Sequence, residues 1–139
     1  SKFLSYISTG KGAKEFQRTQ GGSWLTHDQD CVEKFHSNPK GKKSFTCNGY
    51  ENLFRLMKMT YTKKGYQVNN PTLPIHFVSG DEDVVLGNEL QWFRTIEFLR
   101  EVGYENVSGK LYKGLRHEIF NEIGKEEVYQ DLLQFIEKA

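Results

Sequence analysis

His117, in the run Lys110-Leu111-Tyr112-Lys113-Gly114-Leu115-Arg116-His117-Glu118-Ile119, is the imidazole best placed for proton transfer in this chain of 139 residues. An acidic loop lies upstream, Ser79-Gly80-Asp81-Glu82-Asp83-Val84-Val85. A neutral imidazole can remove a proton from a hydroxyl during attack and return it to the leaving group. A carboxylate on its other ring nitrogen fixes the tautomer and stabilises the imidazolium that forms. Asp83 is the candidate acid, by the Gly80-x-x-Asp83 spacing, and Asp81 is its understudy. Outside such a pairing, Asp81-Glu82-Asp83 would be an ordinary solvated turn. Together Asp83 and His117 read as the acid and base of a catalytic triad whose nucleophile is missing. No Gly-x-Ser-x-Gly occurs, and neither Gly21-Gly22-Ser23 nor Val107-Ser108-Gly109 falls where a strand turns sharply into a helix.

Both loops follow a stretch of strand character and precede an amphipathic helical pattern, the way α/β enzymes present side chains at strand ends. Leu73 to Val78 reads as a short strand entered through proline and ended by Gly80, buried by helices on both faces. Asn88 to Val102 carries Trp92, Phe93, Ile96, Leu99 and Val102 on one stripe and stops at Gly103. Val107 to Tyr112 is the second strand, and Lys125 to Glu137 a last helix packed through Val128, Leu132, Leu133 and Ile136. Strand, helix, strand, helix in that order predicts parallel strands joined by a right-handed crossover. The separation of Asp83 from His117, 117 − 83 = 34 residues, accommodates one helix and one strand.

The first half is helical in pattern. A brief helix near Phe3-Leu4 to Ile7 gives way to a loop ending at Gly21-Gly22. Gly10-Lys11-Gly12 lacks the spacer and hydroxyl of a phosphate cradle and reads as a turn. Thr26 with Gln29 has the form of a capping box for a helix over about 27–36, stopped by Asn38-Pro39-Lys40-Gly41. Tyr50, Leu53, Phe54, Met57 and Tyr61 share one face of a helix over about 48–64, with Gly65 as its stop.

From about Ser23 onward the chain resembles the C-terminal part of a lysophospholipase or monoacylglycerol-lipase-like α/β-hydrolase, of the serine aminopeptidase or hydrolase-4 type. The residues that carry the likeness are Ser23-Trp24-Leu25-Thr26, Leu73 to Gly80, Gly80-x-x-Asp83, Lys110-Leu111-Tyr112, Arg116-His117-Glu118-Ile119, Asn121-Glu122 and Glu127-Val128-Tyr129. Val84 follows the acid where such proteins often have proline. The resemblance implies an α/β fold, a partial α/β-hydrolase: a helical cap or lid-like segment over 1–70, then a C-terminal βαβα unit over 71–139. It implies catalytic roles for Asp83 and His117 and an acyl-ester small molecule or lipid as substrate. Aromatic residues in the cap could line an acyl site, although such side chains at helical spacing more often form core. A full α/β-hydrolase needs roughly twice this length. The chain is therefore expected to be a fragment of a longer protein, beginning at Ser1 inside a domain, and to hydrolyse no ester by itself. A serine peptidase of the same fold, and a non-catalytic α+β interaction module, are the competing readings.

Composition narrows the partners. With 19 basic and 18 acidic residues and a net charge of +1, no basic stripe interleaved with aromatics is present, and nucleic acid is not expected. No apolar run approaches the roughly 20 residues of a membrane span. Cys31 and Cys47 lack metal-type spacing and read as free cytosolic thiols, which points to a cytoplasmic location. The scattered His27, His36 and His76 offer no zinc set, so neither metal nor cofactor is expected. His76, inside a strand, reads as a packed structural histidine. Arg116, Glu118 and Glu122 could brace the His117 loop by ion pairing, worth about 0 to 1 kcal/mol if exposed. Two strands cut from a larger sheet would leave an open edge, so self-association is expected.

Overall fold

The computed structural model describes residues 2–6, 11–19, 22–40 and 45–139. In chain order it contains helices α1 (Lys2–Ser5), α2 (Lys11–Thr19), α3 (Gln29–Ser37) and α4 (Cys47–Thr60), strand β1 (Ile75–Gly80), helix α5 (Glu89–Val102), strand β2 (Val107–Tyr112), a 3-10 turn (Ile119–Asn121) and helix α6 (Glu126–Lys138). The two strands pair in parallel, from Ile75 opposite Val107 to Gly80 opposite Tyr112. This is the α/β architecture the alternating pattern predicts, since a parallel pair needs a crossover element and α5 supplies it.

Strand alternation decides which helix each side chain meets. Ile75, Phe77, Val107 and Leu111 pack with Trp92, Ile96 and Leu99 of α5. Val78 and Tyr112 turn the other way, joining Ile119, Val128 and Leu132 under α6. Gly109 lets α5 lie close, because a Cβ there would stand 2.6 Å from the Trp92 ring and 2.7 Å from Ile96. On the α6 side, Lys110 reaches Glu127 at 2.7 Å and also bonds Asp131, while the Tyr112 hydroxyl donates to Asp131 at 3.1 Å. Burial first, and then the bond to Asp131, push the Tyr112 phenol up to about 12. It therefore stays a donor, and α6 is fastened to β2 at a set rotation.

Several predicted boundaries move. Residues 11–19, expected as loop, form α2, whose Phe16 is buried beneath the Arg116 guanidinium at 4.8 Å. Lys11 and Gly12 of the expected Gly10-Lys11-Gly12 turn open that helix. Gly10 lies outside the described residues, as do Ile7, Gly21 and Gly41 from the other predicted boundaries. Thr26 does not cap α3: Asp28 does, accepting from the Cys31 amide at 3.2 Å, and Thr26 is buried elsewhere. Helix α4 starts from Thr46, whose hydroxyl accepts from Gly49, and ends at Thr60, short of Gly65. Of its predicted apolar face only Tyr50 is buried, while Phe54, Met57 and Tyr61 are exposed. On α6, Val128 and Leu132 meet the sheet, but Leu133 and Ile136 face outward. β1 runs two residues further than expected, so that Gly80 is its last residue rather than its stop. Neither Cys31 nor Cys47 is in a disulfide. Among the described residues no helix is long and apolar enough to cross a membrane.

Candidate active site

The two loops that carry Asp83 and His117 leave the same end of the parallel pair, because parallel strands in register point their C-termini together. They are joined by backbone bonds as soon as the sheet ends. Asp81 N–H donates to Tyr112 O at 3.1 Å, and Glu82 N–H to Leu115 O at 3.0 Å. The carboxylate of Asp81 accepts from Gly114 N at 2.7 Å. Asp81, the understudy, is thus a tie between the loops rather than a partner of the imidazole. Gly80 permits the approach: a Cβ at that position would lie 2.0 Å from the Leu115 carbonyl oxygen.

Asp83 turns inward, its side chain 9% exposed, and His117 Nδ1 lies 2.9 Å from its Oδ2. The other oxygen, Oδ1, accepts from Val85 N at 2.8 Å, and Ser79 Oγ donates to Oδ2 at 3.4 Å. Burial raises the affinity of Asp83 for a proton, but the bonds from His117, Val85 and Ser79 outweigh it and hold the acid below its ordinary value of 3.8. For His117 the bond to Asp83 is the largest influence and, despite partial burial, lifts the imidazole above 6.5. An ionised carboxylate only accepts, so Nδ1 carries the proton and the Nε2 lone pair is left for chemistry. The ring keeps 37% exposure and lies 5.1 Å from the Trp24 ring. A cleft of about 420 Å³ opens beside it between Val78, Ser79 and the residues 117–121. A second, of about 890 Å³, also reaches Asp83, between Phe77, Trp92 and Phe98 of the αβ unit and Met57 and Tyr61 of the helical segment.

The remaining residues singled out in the sequence lie apart from this pair. His76 donates to or accepts from Ser108 at 2.8 Å and stacks on Phe135, a packing role. The Arg116–Glu118 ion pair is not formed. Arg116 is buried, donates to Ser23 O at 2.7 Å and approaches Glu82 at 3.6 Å, while Glu118 accepts from Asn121. Glu122, expected as a minor surface brace, is fully buried and bonds Thr26, His27 and Arg116. Periodicity could not show this. The one available signal is an acid set among Ile119, Phe120 and Ile123. Among the described residues no cluster of histidine, cysteine and carboxylates could hold a metal ion.

Helices on both faces of a parallel pair, with two strand-end loops converging, are the arrangement of an α/β fold with its candidate site at the carboxyl ends of the strands. The chain belongs to the family described as serine aminopeptidase, S33, whose model matches residues 3–124. Among solved structures it is similar to a highly thermostable carboxyl esterase from Bacillus coagulans in complex with glycerol, with a TM-score of 0.62 and 23% identity. That similarity covers 99% of this chain and 51% of the other, so the chain spans about half the length of the esterase. No curated protein matches the chain.

Proposed function

We propose that Asp83 and His117 are the acid and base of a serine ester hydrolase, and that the nucleophilic serine belongs to sequence outside these 139 residues. The observation that carries this reading is the 2.9 Å bond between Asp83 and His117 Nδ1 at the joined strand ends. In such an enzyme His117 Nε2 takes the proton of the serine hydroxyl as it attacks the ester carbonyl. The protonated ring, held by Asp83, then gives that proton to the departing alkoxide. Residues 1–70 serve as the cap and residues 71–139 as the catalytic-loop unit. The substrate is a carboxylic ester of an apolar acyl chain, of the lysophospholipid or monoacylglycerol class. Met57 and Tyr61 support that choice, since they share the large cleft with Phe77, Trp92 and Asp83. We place the protein in the cytoplasm, in keeping with the isolated positions of Cys31 and Cys47 in the sequence.

Without an activated hydroxyl the isolated chain should not turn over a short-chain chromogenic ester. Turnover that disappeared in His117→Ala would locate the nucleophile within these residues and defeat that part of the proposal. A polypeptide extended through the nucleophile should label with a fluorophosphonate, and failure to label would favour an interaction module. Comparing acyl esters with aminoacyl anilides on that polypeptide separates an esterase from a peptidase.

The isolated chain should also self-associate. Leu133 and Ile136 on α6 and Leu56, Met57 and Met59 on α4 are all about half exposed or more, and the two-stranded sheet offers open edges. Light scattering should give a mass above 16.2 kDa that rises with concentration. A concentration-independent monomer in the micromolar range would contradict this.

A further inference from the structure

Glu122 lies outside the acid–base pair, yet its surroundings are those of a built site. Its side chain is 0% exposed, and donors from two segments converge on it across some 95 residues of sequence. Oε1 accepts from Arg116 N at 2.8 Å and faces His27 Nδ1 at 3.1 Å. Oε2 accepts from His27 N at 2.9 Å and from the Thr26 hydroxyl at 3.0 Å. A buried carboxylate without such donors would be strongly disfavoured. Here burial, which favours protonation, is outweighed by the His27 and Arg116 amides and the His27 and Thr26 side chains, so the group is held below its ordinary value.

What these bonds hold is the strap of residues 23–27 against the loop that bears the base. Arg116 secures one end of the strap through Ser23 O, and Glu122 secures the other at Thr26 and His27. Between them, Trp24 O and Leu25 O accept from His117 N at 3.5 Å and Glu118 N at 2.8 Å. The strap's Trp24 ring then rests against the imidazole at 5.1 Å. The His117 ring is therefore gripped at its Nδ1 edge by Asp83 and flanked by Trp24.

We infer that Glu122 is a positioning residue for His117: its buried carboxylate clamps the 23–27 strap to the base loop and so sets the imidazole in bonding register with Asp83. This rests on the acid–base reading of Asp83 and His117 and extends it to a residue that touches no reacting atom. Glu122→Gln keeps the shape but turns an NH2 group toward donors, so at least one of them is left unmatched. Backbone register at residue 116 should loosen, and with it the bond one residue on.

The test is a proton NMR titration of the His117 Cε1–H in the 139-residue chain, assigned by its loss in His117→Ala. The unsubstituted chain should titrate above 6.5, and Glu122→Gln should move the midpoint down toward that value. Ile96→Ala, in the separate core cluster under α5, should lower thermal stability without moving it. In a polypeptide that includes the nucleophile, Glu122→Gln should lower kcat about 100-fold with KM little changed, as expected for a misplaced base. A folded Glu122→Gln with an unmoved midpoint overturns the inference, as does an equal displacement in Ile96→Ala. If Glu122→Gln does not fold, Thr26→Val removes one of the donors to Glu122, together with the hydroxyl's bonds to Asn121 O and Asp28 N, and must move the midpoint in the same direction, and an unmoved midpoint there overturns it too. A midpoint at or below 6.5 in the unsubstituted chain would instead sink the acid–base pair itself, which separates the two failures.

Discussion

In a polypeptide that supplies the nucleophile, Asp83→Asn should lower kcat by about 10⁴-fold and His117→Ala by about 10⁶-fold, the scale found when a triad loses its orienting acid or its base. The asymmetry follows from the geometry. An asparagine in place of Asp83 would retain one oxygen and a similar shape, but its NH2 can bond Nδ1 only as a donor, which moves the imidazole proton to Nε2 and removes the lone pair. Truncating His117 to alanine leaves no base at all. The pH dependence has a defined sign. The base must be neutral, so kcat/KM should rise with pH through the elevated His117 value rather than through 6.5. Stability runs differently. The contribution of His117 is complete below 6.5 and lost as pH rises through its raised folded value. That of Asp83 is complete above 3.8 and lost as pH falls through its lowered one. The unsubstituted chain should therefore exceed Asp83→Asn in melting temperature by most between those two ordinary values. A constant difference from pH 3 to pH 9 would show that the 2.9 Å contact does not couple the two groups.

Gly80→Ala should be among the most damaging single substitutions in the chain, although it adds only a methyl group. The new Cβ would fall 2.0 Å from Leu115 O, 2.3 Å from Leu115 C and 2.6 Å from Arg116 O. All three are backbone atoms, so no side chain can rotate away and the two loops must part. Overpacking of this kind costs about 3 kcal/mol or more. It falls where Glu82 N and Asp81 N hold the loops together, so Asp83 and His117 should separate as stability drops. Gly114→Ala makes the comparison clean. Gly114 has φ +72 and nothing within 4 Å of a Cβ, which leaves only backbone strain of about 1 to 2 kcal/mol. Thermal melts should rank Gly80→Ala well below Gly114→Ala, with the His117 midpoint lowered only in the former. Equal melting temperatures would mean that the close approach is not present in solution.

The elements around the pair were legible residue by residue, because each rests on local chemistry. Trp92 and Ile96 on one helical stripe, Asn88 and Gly103 at its ends, and the short run from Val107 to Tyr112 all lie where periodicity and capping require. Parallel pairing followed from strand, helix, strand order. Gly80-x-x-Asp83 and Arg116-His117 were likewise visible as residue types at strand ends, so the candidate pair could be named before any distance was known. The destinations of the polar side chains, in contrast, were settled by the folded chain. Thr26 has the spacing of a helix cap but is drawn to Glu122, since a buried carboxylate gains more from its hydroxyl than an exposed helix start does. Asp81 and Asp83 share one residue type and were separated in the sequence only by their place after Gly80, whereas in the folded chain one bonds Gly114 N and the other His117. Glu122 became a buried hub through partners some 95 residues away. Periodicity reports only which face of an element is apolar, and a hydrogen bond between distant segments leaves no period in either of them.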